Sequence, residues 1–199
     1  YYVEIDSTAF DDSSSNSFAG ISDKTSLSFT SADIVAPTLS NSSPVDDSTN
    51  IDVSSDIKLT FSEAVDVESG FITIKKSSDD SIFEKIDVTS TQVQGDGTNK
   101  ITINPANTFA STTQYYVEID STAFDDSSSN LFAGISDKTS LSFTSEDVEA
   151  PTLSSTSPSN DSTNIGVNDD IKFTFSEAVN VKTGFITIKK TSNDSIFEK

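Results

Sequence analysis

Residues 1–31, YYVEIDSTAFDDSSSNSFAGISDKTSLSFTS, return almost unchanged as residues 115–145, an offset of 114. Carried through the overlap, the offset pairs residues 1–85 with 115–199; 17 of these 85 positions differ, leaving 68 identical. A period of this length is one domain-sized unit written in tandem. Any fold the unit adopts must tolerate the same fold before and after it. The differences fit that constraint. Ile34 becomes Val148 and Leu59 becomes Phe173, both staying apolar, while Val35 becomes Glu149 and is therefore expected to be exposed.

If a unit begins at the Ala-Pro-Thr-Leu sequence, at Ala36 and again at Ala150, residues 36–149 form one complete repeat. Residues 1–35 are then the C-terminal part of a preceding repeat and residues 150–199 the N-terminal part of a following one. The chain reads as an excerpt of a longer array, joined by the short linkers TSADIVAPT and TSEDVEAPT.

Charge narrows the partners. With 32 acidic residues against 12 basic ones, all Lys, the net charge is -20. A field of that sign repels a nucleic-acid backbone, and without Arg there is no bidentate fork for phosphate, so nucleic acid is not an expected partner. The same field suits a salty or calcium-containing exterior. Cys, His, Met and Trp are absent, which removes thiol, imidazole and disulfide chemistry together. Ser is plentiful, but a Ser-His-Asp arrangement is impossible without His. No run approaches the roughly 20 apolar residues that span a bilayer, so no membrane span is expected in this segment.

Alternation supplies the secondary structure. Ala36 to Pro44 is an extended opening anchored by Leu39, with prolines that oppose helix, and VDDSTN after it reads as a polar loop. In DIKLTFSEAV, Ile57, Leu59 and Phe61 face one way and Lys58 and Thr60 the other, the period of a half-buried strand. GFITIKK is a second strand; IFEKIDVTS is a third, with Ile82, Glu84, Ile86 and Val88 on one face, an odd set because of Glu84. Gly95-Asp96-Gly97 offers the positive backbone angles of a hairpin turn before Ile101 and Ile103. Tyr115, Val117 and Ile119 share a face, and after the long polar loop DSTAFDDSSSNLFAGISD the pair Leu141 and Phe143 alternates again. About seven short strands without a helical stretch predict an all-β, two-sheet immunoglobulin-like sandwich, repeated in tandem.

PTLSNSSPVDDSTNIDVSSDIKLTFSEAVD resembles the opening of bacterial immunoglobulin-like domains of the surface-layer type, with a Pro-Thr start, a Ser-Pro, a polar turn and a strand ending in Phe-Ser-Glu-x-Val. YYVEIDSTAFDDSSSNLFAGI is similar to their Tyr-x-Val strand and the Asp-bearing loop after it, except that Ser129, like Ser15, stands where many relatives have Gly before the loop Asn. The resemblance covers the whole repeat. It implies tandem spacers in surface-layer proteins or very large secreted adhesins of bacteria, extracellular or on the cell surface.

Calcium is the ligand this composition invites, a hard cation taking six to eight oxygens. In an immunoglobulin topology, Glu63 and Asp66 approach Asp120, Asp125, Asp126, Asn130 and Asp137 at the pole where the chain enters, and the linker acid Asp33 arrives at the same end. An ion there would neutralise carboxylates and stiffen the joint. The same residues also fit Asx turns and solvated loop charges. Glu68 is set aside because it becomes Lys182. Glycoside hydrolysis by two carboxylates and a Lys–Asn crosslink are poorly served by acids everywhere and by outward-facing lysines. Tyr115 and Tyr116 fit a core or corner better than a sugar platform.

These readings converge on a non-enzymatic spacer or fibre segment of an adhesin stalk, filament or surface layer. Its partners are adjacent repeats of the same chain and other copies in a filament or layer. The competing class is a calcium-dependent binding module whose acidic loops engage glycans or neighbouring arrays, with avidity from repetition.

Overall fold

The computed structural model describes residues 1–198. The chain divides into two units, Tyr1–Asp147 and Val148–Lys199. Strict alternation builds the first. Its strands are β1 (Leu39–Ser43), β2 (Ser48–Ile51), β3 (Ile57–Val67), β4 (Phe71–Lys76), β5 (Ile82–Asp87), β6 (Val93–Gln94), β7 (Thr98–Ile103), β8 (Gln114–Ile119), β9 (Phe124–Asp125) and β10 (Ser142–Ser145). One sheet runs β1-β3-β7-β6 with β9 also on β3, and the other runs β2-β10-β8-β4-β5. All pairs are antiparallel except β2 with β10.

The inward faces meet in a single core. Ile57, Leu59 and Phe61 of β3 and Ile101 and Ile103 of β7 pack with Ile72 and Ile74 of β4, Ile86 of β5, Val117 and Ile119 of β8, and Phe143 of β10. Lys58 points outward, as its alternation requires. Tyr115 is buried in this core against Phe83, Phe109 and Phe143, and its hydroxyl accepts from Ala110 N at 2.9 Å. This is the corner role expected of a Tyr in a late strand of such a sandwich. Tyr116 faces the other side of the sheet, where its hydroxyl donates to Asp80 and Lys75 and Lys138 lie over its ring.

Three expectations need correction or completion. The polar loop VDDSTN contains a strand: Ser48–Ile51 pairs parallel with β10, and its Ser, Thr and Asn carry no apolar alternation to announce it. The long loop after β8 likewise holds β9, which pairs Asp125 with Asp66 and Phe124 with Val67. In the third strand, Glu84, Ile86 and Val88 are buried but Ile82 is exposed, because the β4–β5 register shifts between Ile74 and Lys75 and brings Phe83 against the core instead. The Gly95-Asp96-Gly97 hairpin forms as expected, with φ of 111° and 72° at the glycines. Beyond the core, Val35 is exposed.

Residues 1–35 repeat the local pairing of their counterparts. Ile5 bridges Ile21 and Asp11 bridges Ser17, as Ile119 bridges Ile135 and Asp125 bridges Leu131. In the second unit β11 (Leu153–Ser157) pairs with β12 (Lys172–Phe175), and β13 (Ile188–Lys189) with β14 (Ile196–Glu198). The β11–β12 register matches that of β1–β3 residue for residue at the 114-residue offset. Among the described residues no helix is long and apolar enough to cross a membrane.

Candidate metal centre

The site starts from the phase of β3. Residues 57, 59, 61 and 65 of this strand are buried in alternation, and Glu63 occupies the remaining inward position, half-buried. The β3–β7 pairing shifts register between Thr60 and Val65. An inward Glu is thus delivered beside the core at a bulge, where the ladder is locally open.

The loop after β8 is pinned above it by rings. Phe124 and Phe132 both meet Phe61, with centroids at 5.5 and 5.2 Å, and Phe132 N donates to Phe124 O at 2.9 Å. Between these two anchors the chain turns tightly around Asp126. One carboxylate oxygen of Asp126 accepts from Ser128 N and Asn130 N, both at 2.8 Å, and the other from Asn130 Nδ2 at 2.8 Å. The Asn130 side-chain amide, followed by these backbone N–H groups, holds the Asp126 carboxyl below the usual carboxylate range. Asn130 Nδ2 also reaches the linker, donating to Asp33 O at 3.3 Å.

Asp33, Glu63 and Asp126 each bring a carboxylate oxygen to within 4.8 Å of the others. Among the described residues this is the one group of three such side chains so gathered. Asp33 is exposed, Glu63 half-buried and Asp126 buried. The three carboxylate oxygens would supply part of the six to eight oxygen ligands that a calcium ion takes, while the Asn130 Nδ2 group ties linker to loop as a donor.

The other sequence-predicted residues divide. Asp66 and Asp125 lie directly opposite each other across the β3–β9 pair. Asp125 is buried, its Oδ1 has no hydrogen-bond partner, and burial first, then the charges of Asp66 and Asp126, push its carboxyl up. Asp120 accepts from Phe71 N at 2.9 Å and so ties the start of β4. Asp137 caps its own turn: Thr139 N, Thr139 Oγ1 and Ser140 Oγ donate to it, and the Ser140 hydroxyl, then that of Thr139, hold it at about 2. Its neighbour Lys138 pairs with Asp80 in the turn after β4, at the far end of that strand from Asp120. Neither Asp120 nor Asp137 joins the cluster.

Ser129 stands in the left-handed region with φ of 64°, and Ser15 repeats this at 66°. The Asp12 loop forms the same bonds as that of Asp126, from Ser14 N, Asn16 N and Asn16 Nδ2, so the geometry is set locally. An L-residue in this conformation costs about 1–2 kcal/mol, offset in a Gly variant by about 0.5–1 kcal/mol of extra chain entropy. Ser129→Gly is therefore expected to stabilise the sandwich by about 0.5 kcal/mol, read as a higher urea midpoint at unchanged slope. A lower midpoint would mean that the serine itself supports the loop.

An all-β sandwich with this strand order, repeated at a fixed period, defines an immunoglobulin-like class of protein. The bacterial Ig-like domain model matches residues 33–145 and again 147–197, and the chain belongs to that family. Three solved structures are similar in part. CopC from Methylosinus trichosporium OB3b is 18% identical, over 57% of this chain and 97% of that one, with a TM-score of 0.41. The S-layer protein rSbsC(31-844) is 14% identical over 81% of this chain and 22% of its own length, with a TM-score of 0.38. The N-terminal part of the bacterial S-layer protein SbsC is 15% identical over 81% and 37%, with a TM-score of 0.36. No curated protein sequence matches it.

Proposed function

We propose that this chain is a non-enzymatic spacer or fibre segment of a large, repetitive bacterial surface protein, working outside the cell as part of an adhesin stalk, filament or surface layer. Residues 36–149 are one whole repeat in this reading, 1–35 the end of the one before and 150–199 the beginning of the next. Calcium held by Asp33, Glu63 and Asp126 stiffens the joint. The observation that carries the reading is the position of Asp33. A linker acid, outside the strands, meets two acids of the sandwich that follows it, and Asn130 fastens its backbone to the loop. An ion at that point would join linker, β3 and loop, converting a flexible tether into a fixed connection. It would also offset the charges of Asp66 and Asp126, which after burial push Asp125 up.

Thermal unfolding of the 199-residue chain in excess chelator and then in millimolar calcium tests the ion. Saturation to a hundredfold over Kd should add about 2.7 kcal/mol, a rise in Tm of roughly 10–20 °C for a domain of this size. Glu63→Gln should abolish the rise while leaving the chelator Tm nearly unchanged. No rise in the wild type rejects calcium. The spacer reading is tested separately, by scattering from arrays of two, three and four whole repeats. A constant increment in length per repeat is expected, and collapse into particles that do not lengthen would overturn it.

A further inference from the structure

One carboxylate of the sandwich is left out of the bonds that surround Asp126. Asp125 is 8% exposed, and its Oδ1 is buried with no hydrogen-bond donor in reach. A carboxylate oxygen in that state is costly unless a cation or a proton accompanies it. Neither of the two salt bridges among the described residues supplies one, since Lys75 pairs with Glu118 and Lys138 with Asp80.

The residue that faces Asp125 makes the need larger. In the β3–β9 ladder Asp125 stands opposite Asp66, and Phe124 opposite Val67. The two aspartates therefore leave the same side of the pair, with Cβ atoms about 5 Å apart, and like charges so placed destabilise a ladder. Phe124 and Val67 are turned to the core, so Asp66 and Asp125 occupy the reverse side. Glu63 shares the inward phase of Phe61 and Val65. The aspartate pair thus stands apart from the group of Asp33, Glu63 and Asp126. Room lies on the Asp66 side. Asp66 is half-buried, and a β-carbon placed on Gly97, in the turn between β6 and β7, would meet only Asp66 Oδ1, at 3.9 Å. That turn is fastened to the end of β3 by Gly97 N donating to Val65 O at 2.9 Å and Val67 N to Asp96 Oδ1 at 2.8 Å, so a third acid adds its charge nearby.

We infer that Asp66 and Asp125 hold a second cation, a hydrated divalent ion of the magnesium kind, on the opposite side of β3 from the site proposed for calcium. Two carboxylates fall well short of the roughly six to eight oxygens that calcium takes, whereas magnesium is bound through one or two and keeps several of its waters. Asp125 Oδ1 is the dry ligand. Asp66 is the ligand at the open side, and the waters of the ion occupy the space beside Gly97. The ion cancels the repulsion across the ladder. It also ties the short β9, and with it the loop that carries Asp126, to the end of β3. The two sites share no ligand, so this one stands whether or not calcium binds at the other.

Thermal unfolding of the full 199-residue chain in a calcium-selective chelator, with magnesium chloride against sodium chloride at the same ionic strength, tests this. The sodium arm subtracts the general screening of a chain of net charge -20. At tenfold over Kd, magnesium should raise Tm by about 5–8 °C beyond sodium. Asp125→Asn and Asp66→Asn should each remove that difference. Either substitution takes away one of two facing like charges, so the sandwich should not lose stability in the absence of the ion; Asp66→Asn, at the less buried position, decides the matter should Asp125→Asn fail to fold. Glu63→Gln, which strips the proposed calcium site, should keep the full magnesium response. Equal Tm in magnesium and sodium would mean that the two acids share a proton and would overturn the inference. So would a response that survives both Asn variants, or one lost in Glu63→Gln, which would place the ion with Asp33 and Asp126. A response to magnesium with none to calcium would support this site and reject the calcium reading alone.

Discussion

Phe61→Ala is expected to destabilise the sandwich by about 3–5 kcal/mol, the range for truncating a fully buried aromatic. Phe61 is 1% exposed, lies midway along β3, and is the platform on which Phe124 and Phe132 rest. Removing its ring deletes both aromatic contacts and opens a void beneath the loop that carries Asp126. Loss of stability and loss of site geometry should therefore travel together. In chelator the urea midpoint falls; if calcium binds as proposed, the variant recovers less than the wild type when it is added, because part of the binding energy must first re-order the loop. The chain contains its own control. Phe175 is the same residue in the same Phe-Ser-Glu-Ala-Val context, yet it is exposed, so Phe175→Ala should leave the unfolding of the sandwich unchanged. Equal losses from the two substitutions would show that the ring contacts do not hold the structure.

That contrast between two identical stretches explains how far the sequence could be read. Period-2 runs such as Ile57-Lys58-Leu59-Thr60-Phe61 state their strand and their inward face without ambiguity, and they give the sandwich. Ser48–Ile51 and Phe124–Asp125 become strands only through partners remote in the chain, β10 and β3, and nothing in their own residues says so. The site was legible to the same degree. Proximity of Glu63, Asp126 and Asp33 follows from placing the β3 end, the loop and the linker at one pole. The difference between Asp126 and Asp137 does not. Both sit in Asp-Ser/Lys-rich loops and both accept bonds from their own following residues; only Asp126 is bracketed by two phenylalanines that fold it onto β3. The Asp120 carboxylate is committed to Phe71 N, a choice of backbone partner that residue type alone cannot announce.

Glu84 shows the opposite case, a residue whose sequence position looked wrong and whose structure supplies the reason. It stands in an apolar phase of β5 and is buried, yet both carboxylate oxygens are satisfied. Oε1 accepts from Gln92 Nε2 at 2.7 Å and Ala106 N at 2.9 Å; Oε2 accepts from Asn107 N at 3.1 Å and Asn107 Nδ2 at 3.0 Å. The side chain thus fastens an edge strand to the connection that follows β7. Burial, the largest influence, pushes its carboxyl up, but the four hydrogen bonds together outweigh it and leave it below its ordinary value. Glu84→Ala would strand the backbone N–H groups of Ala106 and Asn107 and the Asn107 side-chain amide, leaving Gln92 Nε2 only its bond to Asn104 O, for a loss of about 2–4 kcal/mol at neutral pH. Glu84→Gln should lose somewhat less, since one of its two terminal atoms still accepts while the other now faces donors. The pH dependence follows from the lowered value. An acid held below its unfolded value stabilises the fold fully above about pH 4.3, and that contribution fades as pH falls through the folded value. The stability difference between wild type and Glu84→Gln should therefore be constant from neutral pH to about pH 5 and narrow below about pH 4, measured as paired urea midpoints. A gap that stayed open into acid would mean that the substitution acts by distorting β5, with the buried charge contributing nothing of its own.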